Sequence, residues 1–575
     1  MTVVPLFCAK LIKANQVHEV DGGGKERSGI WNRFNQGFNR RFQAFLARFD
    51  RVQGVALARP LTTILTIVGI CAMSLSLWPV LGFAYFPRTD PGQFVINLKA
   101  PAGTRVEVTE QEVAKVEAVV RRIVAPKDLR LIVSNIGSTP DLSSIYTSNS
   151  APHTAYVQVS LNDDHKVGSY EYMDDVRRSL RRELPELTAY FQSGGLVDAI
   201  LNQGLAAPID IHVSGNNLES AFRTAASIRN RVSKIAGVAD TFIPQDVDAP
   251  ALELQVDRYH AKEMGLDQKE VVSNVITALT SDGVIAPSYW VDPKSGNLYM
   301  LSVQFPNGVV KSLSDLKAIP IRSASQSNTT LLDTVTHLKQ IKAPTEADHY
   351  KLRRVIDVYV SPQGEELSRV AAAVNRVVDQ IDKPAGIVVH VRGIVGAMNS
   401  SLQSFGFGLV LSLLLVYLIL VAQFRSFVDP FLILLAVPPG IAGVLLILTI
   451  TGTTLNIMSL MGLVMMVGIV VSNSILIVEF THRLVEEGMD IYKAVQHAVR
   501  VRLRPILMTS LATVMGLIPM AIEPGANAPL ARSIIGGLVA SVVLTVFIVP
   551  SAFLIIHRRR HRKQVSNDGQ PAGSY

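Results

Sequence analysis

From Pro430 to Val478 the chain runs for 49 residues without an Asp, Glu, Lys, Arg or His, and only the polar turn Thr451-Gly452-Thr453-Thr454 interrupts it near the middle. Inside a bilayer a backbone must satisfy its own hydrogen bonds, and one helical crossing takes about 20 apolar residues. The run therefore predicts two membrane helices folded as a hairpin. The same reasoning predicts four further crossings at Leu61–Phe86, Phe405–Phe424, Pro505–Ile522 and Ser533–Ile556. The expected fold is an α-helical bundle of six spans with a large α+β insert. The first span occupies 61–86, the insert 88–400 and a five-span bundle 401–557.

Lys and Arg in the short loops set orientation, because basic loops stay in the cytoplasm. The basic tail at 558–575, which begins Arg558-Arg559-Arg560, places the C-terminus there. The loop Thr481–Arg504, the short Arg425–Asp429 loop and the basic stretch before Pro60 agree with six alternating crossings. The turns Thr451–Asn456 and Glu523–Ala531, and the insert with them, are expected outside. This implies a multi-pass membrane protein with its insert on the outside and both termini cytoplasmic.

The net charge of +8 could suggest a nucleic-acid partner, but it is concentrated beside the spans, where anionic lipid headgroups are the fitting partner. No nucleic acid is expected. Cys8 and Cys71 are the two cysteines, so the insert must fold without a disulfide. Residues 1–14 read as the end of a preceding membrane helix whose beginning is missing. Within 25–58 an aromatic stripe, Trp31, Phe34, Phe38, Phe42, Phe45 and Phe49, recurs at spacings of 3, 4, 4, 3 and 4. Such an amphipathic helix is expected to lie flat in the cytoplasmic headgroup layer, with packing on protein as the ordinary alternative.

The insert alternates strand-like runs (Gln93–Lys99, Leu129–Val133, Thr154–Leu161, Ile209–Val213, Leu252–Val256, Tyr299–Phe305, Val355–Val360, Gly386–Val391) with helical ones (Val106–Ile123, Tyr170–Leu184, Leu218–Ile235, Gln268–Leu279, Leu367–Ile381). This is the pattern of βαβ modules in ferredoxin-like α+β subdomains. No nucleotide, protease or glycosidase motif appears, so neither an enzyme nor a cofactor is expected. The insert's histidines, among them His153, His212, His260 and His390, show no i, i+4 pairing and have no cysteine partners, so no metal site is predicted there.

Specific motifs now carry a resemblance. Leu455-Asn-Ile-Met-Ser-Leu-Met-Gly-Leu-Val with Gly468-Ile-Val-Val-Ser-Asn-Ser, together with Phe424-Arg-Ser-Phe-Val-Asp-Pro, Arg502-Leu-Arg-Pro-Ile-Leu-Met-Thr-Ser and Phe86-Pro-Arg-Thr-Asp-Pro-Gly, resembles exporters of the resistance-nodulation-division family, acriflavine-resistance type. The resemblance implies proton-driven efflux of hydrophobic or amphiphilic small molecules by a homotrimer working with a periplasmic adaptor and an outer-membrane channel. It covers only the C-terminal of the family's two similar halves, so the partner most needed is the missing N-terminal half, encoded separately or lost.

In that family paired aspartates of the first half carry the proton and a lysine of the second half answers them. Ser472 stands at the lysine position here. The expected proton-relay or coupling candidates are thus Ser472, Asn473 and Thr509, with Arg502 toward the cytoplasm. Each also has an ordinary reading, as helix back-bonding, interhelical glue or a basic anchor. Gly462, Gly468, Gly536 and Gly537 are expected to allow close helix packing, and Leu476 to face lipid. Two alternatives remain open: a non-transporting half that only binds partners, and a heavy-metal exporter of the same family.

Overall fold

This computed structural model describes residues 30–137, 151–202, 205–306, 308–323, 329–364, 367–523 and 525–567. The helix remnant expected at 1–14 and the end of the basic tail lie outside the described residues. The chain divides into two compact units, one of Met1–Val68, Asn473–Met508 and Val543–Tyr575, the other of Gly69–Ser472 and Thr509–Val542.

The larger unit holds the insert. Its first sheet comprises β1 (Gln93–Lys99), β2 (Leu129–Ile136), β3 (Thr154–Leu161) and β4 (Thr188–Ser193), antiparallel throughout in the order β2-β3-β1-β4. Alternation in β1 sends Phe94, Ile96 and Leu98 to one face, where they are buried. Val113, Val116 and Val120 of the Val106–Ile123 helix and Val176 and Leu180 of the Ser169–Glu183 helix cover them. The second sheet is built on β5 (Ile209–Ser214) and β6 (Val238–Phe242). Between it and the rest of its strands the chain makes a long ribbon of β7 (Ala249–Val256) with β12 (Thr336–Ala343), a hairpin of β8 (Ser288–Val291) with β9 (Leu298–Leu301), and a short ladder of β10 (Pro320–Ile321) with β11 (Thr330–Leu331). It then returns as β13 (Asp348–Tyr350), β14 (Arg353–Pro362) and β15 (Val388–Gly393), completing the order β13-β14-β5-β15 with β6 also on β14. Leu218–Val232 and Leu367–Gln380 bury Ile228, Val232, Val370 and Val374 against this sheet.

Several expected bounds hold to the residue, including β1, β3 and the helices Val106–Ile123 and Gln268–Leu279. The last is opened by an Asp267–Glu270 capping box. The strand expected at Tyr299–Phe305 is instead Leu298–Leu301, because its partner β8 is only four residues long. Strands β4, β6, β8, β10, β11, β12 and β13 escaped the sequence reading; β12 is mostly polar, and pairing with β7 creates it.

Among the described residues, five helices are long and apolar enough to cross a membrane: Ile394–Phe424, Val428–Ile450, Ile457–Glu486, Ile491–Ile522 and Ala528–His557. A sixth exists only if Arg40–Ala58 and Pro60–Leu75, bent by 101°, count as one. The span expected at Leu61–Phe86 is therefore not a single helix. It is helical over Pro60–Leu75 and Trp78–Leu81, and then Gly82, at φ 65°, turns the chain into an extended segment where Phe83 bridges Leu455. The cytoplasmic loop expected at Thr481–Arg504 is also corrected. The two flanking helices run on to Glu486 and back from Ile491, so Arg500, Arg502 and Arg504 are helical. Apolar contact among Leu484, Ala494 and Ala498 sustains these extensions.

Within the larger unit, glycine sets the helix spacing. A Cβ on Gly443 would lie 2.3 Å from the Gly536 carbonyl oxygen, and one on Gly462 would lie 2.6 Å from that of Leu530. Gly440 and Gly537 both abut Met466. Gly468, expected to serve the same packing, has open space around it. In the smaller unit the Ile30–Ala58 helix buries Leu46, Phe49 and Leu57 and leaves Phe45 exposed. Phe49 meets Phe547 at 5.7 Å and Asp50 pairs with Arg500 at 3.4 Å, so this part of the aromatic stripe packs on protein.

Candidate functional site

The sequence-derived candidates stand on two helices. On Ile457–Glu486, Ser472 is exposed, Asn473 half-buried and Ser474 buried. On Ile491–Ile522, Thr509 is exposed and its carbonyl accepts a bond from the Thr513 hydroxyl at 2.9 Å, while Ser510 is buried. Arg502 is half-buried with its guanidinium 4.8 Å from the centre of the Phe480 ring, and its buried Nε has no hydrogen-bond partner. Leu476, expected to face lipid, is half-buried.

Ser472 lies at the end of a stripe. Met461, Met465, Gly468 and Ser472 follow one another at helical spacings of 4, 3 and 4, and all four are exposed. The window of Ile491–Ile522 that fits a membrane is only 11% buried and that of Ile394–Phe424 only 6%. Arg532 was not anticipated as functional. Its Nη1 donates to Thr453 Oγ1 at 2.7 Å and its Nε to the Ala521 carbonyl at 2.9 Å, tying the polar turn to the end of Ile491–Ile522.

In the insert a cleft of about 230 Å³ runs between residues of the first module, such as Tyr170, Phe191 and Asp198, and residues of the second, such as Pro362 and Leu367. Arg88 stacks over Tyr170 at 4.7 Å, and the Tyr170 hydroxyl donates to Asp198 Oδ2 at 3.0 Å. Burial, with the Asp198 charge adding to it, pushes the Tyr170 hydroxyl up to about 12. It stays a neutral donor at any physiological pH. An apolar wall with a few convergent polar groups suits an amphiphilic ligand.

The two modules are strapped together by Lys99. Its ammonium donates to the carbonyls of Ile243, Pro244 and Gln245 at 3.1, 3.1 and 3.3 Å and meets Asp246 Oδ1 at 2.8 Å. His153 Nε2 takes the other Asp246 oxygen at 2.8 Å. Burial alone would raise the Asp246 pKa, but the bonds from His153 and Lys99 outweigh it and hold the carboxyl below its usual range. A carboxylate depressed in the fold stabilises it above its unfolded pKa of about 3.9 and loses that contribution as pH falls through the folded value. Lys99→Met leaves a buried carboxylate and three carbonyls short of a donor, and is expected to cost about 3 kcal/mol at neutral pH. Unfolding curves at pH 7 and pH 3 check this: the wild-type protein should lose stability in acid, and the variant should lose less.

Enough apolar helix for five or six crossings, broken by an α+β insert of paired sheets, is the build of a multi-pass membrane transport protein. The profile of the AcrB/AcrD/AcrF family matches residues 1–557, and the chain belongs to this family of resistance-nodulation-division efflux transporters. Two crystal forms of a heavy metal efflux pump share the fold. Form I superposes with a TM-score of 0.76 at 21% identity and form II with 0.74 at 22%. In both cases 90% of this chain is matched but 53% of the pump chain, so the chain spans about half the length of its structural relatives.

Proposed function

We propose that this chain is the C-terminal half of a proton-driven permease that exports hydrophobic or amphiphilic compounds across the inner membrane. The observation that carries this reading is the exposed stripe of Met461, Met465, Gly468 and Ser472, on a helix otherwise half-buried in its own bundle. A polar Ser472 at mid-span is costly against lipid, and a complementary half bearing titratable groups is the natural cover. The bent pair at Ala58–Pro60 supports a sixth crossing, and the basic helix ends support cytoplasmic termini with a periplasmic insert. The order β2-β3-β1-β4 with two helices on one face supports a ferredoxin-like first module. The hairpin β8–β9 supports assembly with further copies. Its eight residues include seven apolar or aromatic ones, among them Trp290 and Tyr299, and all are exposed.

The test supplies the complementary half in cells stripped of their own pumps and follows efflux of a hydrophobic dye. Asn473→Ala and Thr509→Ala are expected to slow efflux at least fivefold with unchanged membrane insertion, Ser472→Lys to insert normally, and Leu418→Ala, on an exposed apolar face, to change little. Wild-type efflux from both alanine variants, with Ser472→Lys blocking insertion, would reduce the polar positions to packing. Partner binding without any dye efflux would favour the non-transporting half instead.

A further inference from the structure

The second sheet of the insert gathers a group that sequence spacing conceals. Asp210 and His212 lie two residues apart on β5 and so point to one face, and Asp357 on β14 is the residue directly paired with His212. Asp210 Oδ2 is 2.7 Å from His212 Nε2, and Asp357 Oδ1 is 3.4 Å from the same nitrogen. One ligand atom from each of the three lies within 4.8 Å of the others. The side chains are only 3%, 8% and 10% exposed.

Such burial demands that every polar atom be paired, and here several are not. Asp210 Oδ1, His212 Nδ1 and Asp357 Oδ1 have no hydrogen-bond partner. The rest of the group is held firmly. Gln245 donates from Nε2 to Asp357 Oδ2 at 2.9 Å and accepts the Asp357 backbone N–H at 3.1 Å, leaving Oδ1 turned toward the imidazole. Two carboxylates and one imidazole, buried together with a ligand atom of each within 4.8 Å of the others and with several polar atoms unpaired, make a donor set suited to a cation.

We propose that Asp210, His212 and Asp357 form a binding site for a divalent transition cation of the zinc or cobalt type. The donor set of one nitrogen and carboxylate oxygens has no sulfur, which argues against a soft monovalent ion. Three protein ligands leave a coordination position for water or a fourth donor. That position can open toward a cleft of about 450 Å³ whose lining adds the carboxyl groups of Glu346 and Asp348. Arg392 is the opposing charge on this face. It is paired with Asp210 across β5 and β15, but its guanidinium lies 3.9 Å from the centre of the Tyr350 ring, a contact that gives it a partner other than the carboxylates. The site goes beyond the export reading and stands or falls separately from it.

The experiment uses the full chain, purified in detergent without a histidine tag, stripped with chelator and titrated with zinc chloride at pH 7.5. One equivalent is expected to bind and raise the thermal unfolding temperature. His212→Gln and Asp357→Asn should weaken that equivalent at least tenfold, and Gln245→Ala, which only positions Asp357, about tenfold. His260→Ala removes an exposed His–Asp pair of 2.7 Å elsewhere in the insert and should leave it unchanged. Equal binding by wild type, His212→Gln and Asp357→Asn, or loss in His260→Ala alone, overturns the assignment. Should the ligand variants fail to fold, X-ray absorption of the zinc-loaded wild type decides: one imidazole with oxygen neighbours supports the site, and a shell without imidazole refutes it.

Discussion

Replacing Gly443 or Gly536 with leucine is expected to abolish the folded membrane bundle. A Cβ on Gly443 would meet the Gly536 carbonyl oxygen at 2.3 Å and the Ala540 Cβ at 2.4 Å, and one on Gly536 would meet Ile447 Cγ2 at 2.2 Å and the Gly443 carbonyl oxygen at 2.7 Å. Because two of these neighbours are backbone, no rotamer change relieves them; the helices themselves must part. In lipid there is little hydrophobic drive to bring helices back together, so tight packing supplies most of what joins them. Overpacking a good core by a few methylenes costs about 1–3 kcal/mol, and separating two helices along their contact costs more. Gly468→Leu is the matched control, since nothing lies within 4 Å of its Cβ position. Size-exclusion profiles and thermal unfolding of the isolated chain in detergent read the outcome. Gly443→Leu should aggregate while Gly468→Leu stays monodisperse, and similar behaviour of the two would refute the packing account.

The second large effect concerns coupling. Expressed alone in cells lacking their own pumps, the chain is expected to give no protonophore-sensitive dye efflux at all. Moving a proton through a bilayer requires a group that titrates inside it, and the apolar stretches 61–86, 405–424, 430–478, 505–522 and 533–556 contain no Asp, Glu, Lys, Arg or His. The charged side chains that flank them, among them Arg425, Asp429, Glu479, Arg502, Arg504, Glu523 and Arg532, all lie outside these stretches. Arg532 is moreover committed to Thr453 and the Ala521 carbonyl. Ser472 and Asn473 can bond to a titrating partner but cannot carry the charge. Efflux that collapses on adding the protonophore to cells making only this chain would prove the reasoning wrong.

How far the sequence was legible differs between the membrane part and the insert. Hydropathy found the apolar helices because lipid imposes one constraint on every residue of a span, and that constraint is local. It misjudged their ends. Ile457–Glu486 and Ile491–Ile522 continue past the apolar stretches because Leu484, Ala494 and Ala498 pack together, a fact about neighbours and not about any one segment. Likewise, Gly462 and Gly468 look alike in sequence, and only the presence of Leu530 against one and open space beside the other distinguishes them.

In the insert, alternation in Gln93–Lys99 and the three- and four-residue spacing of valines in Val106–Ile123 stated strand and helix directly, since each element buries one face. The sequence by itself therefore determined the membrane-embedded character of the chain, the place of the insert, most of its elements and the polar positions Ser472, Asn473 and Thr509. Only the tertiary structure decided what met across long stretches of chain: Lys99 with the 243–246 segment, Arg532 with Thr453, and Asp357 with a histidine 145 residues before it. The physical reason is that periodicity records which face of an element is buried, whereas a binding group depends on strand pairing and register, and β14 reaches β5 only after the chain has built a long ribbon and two smaller strand pairs in between.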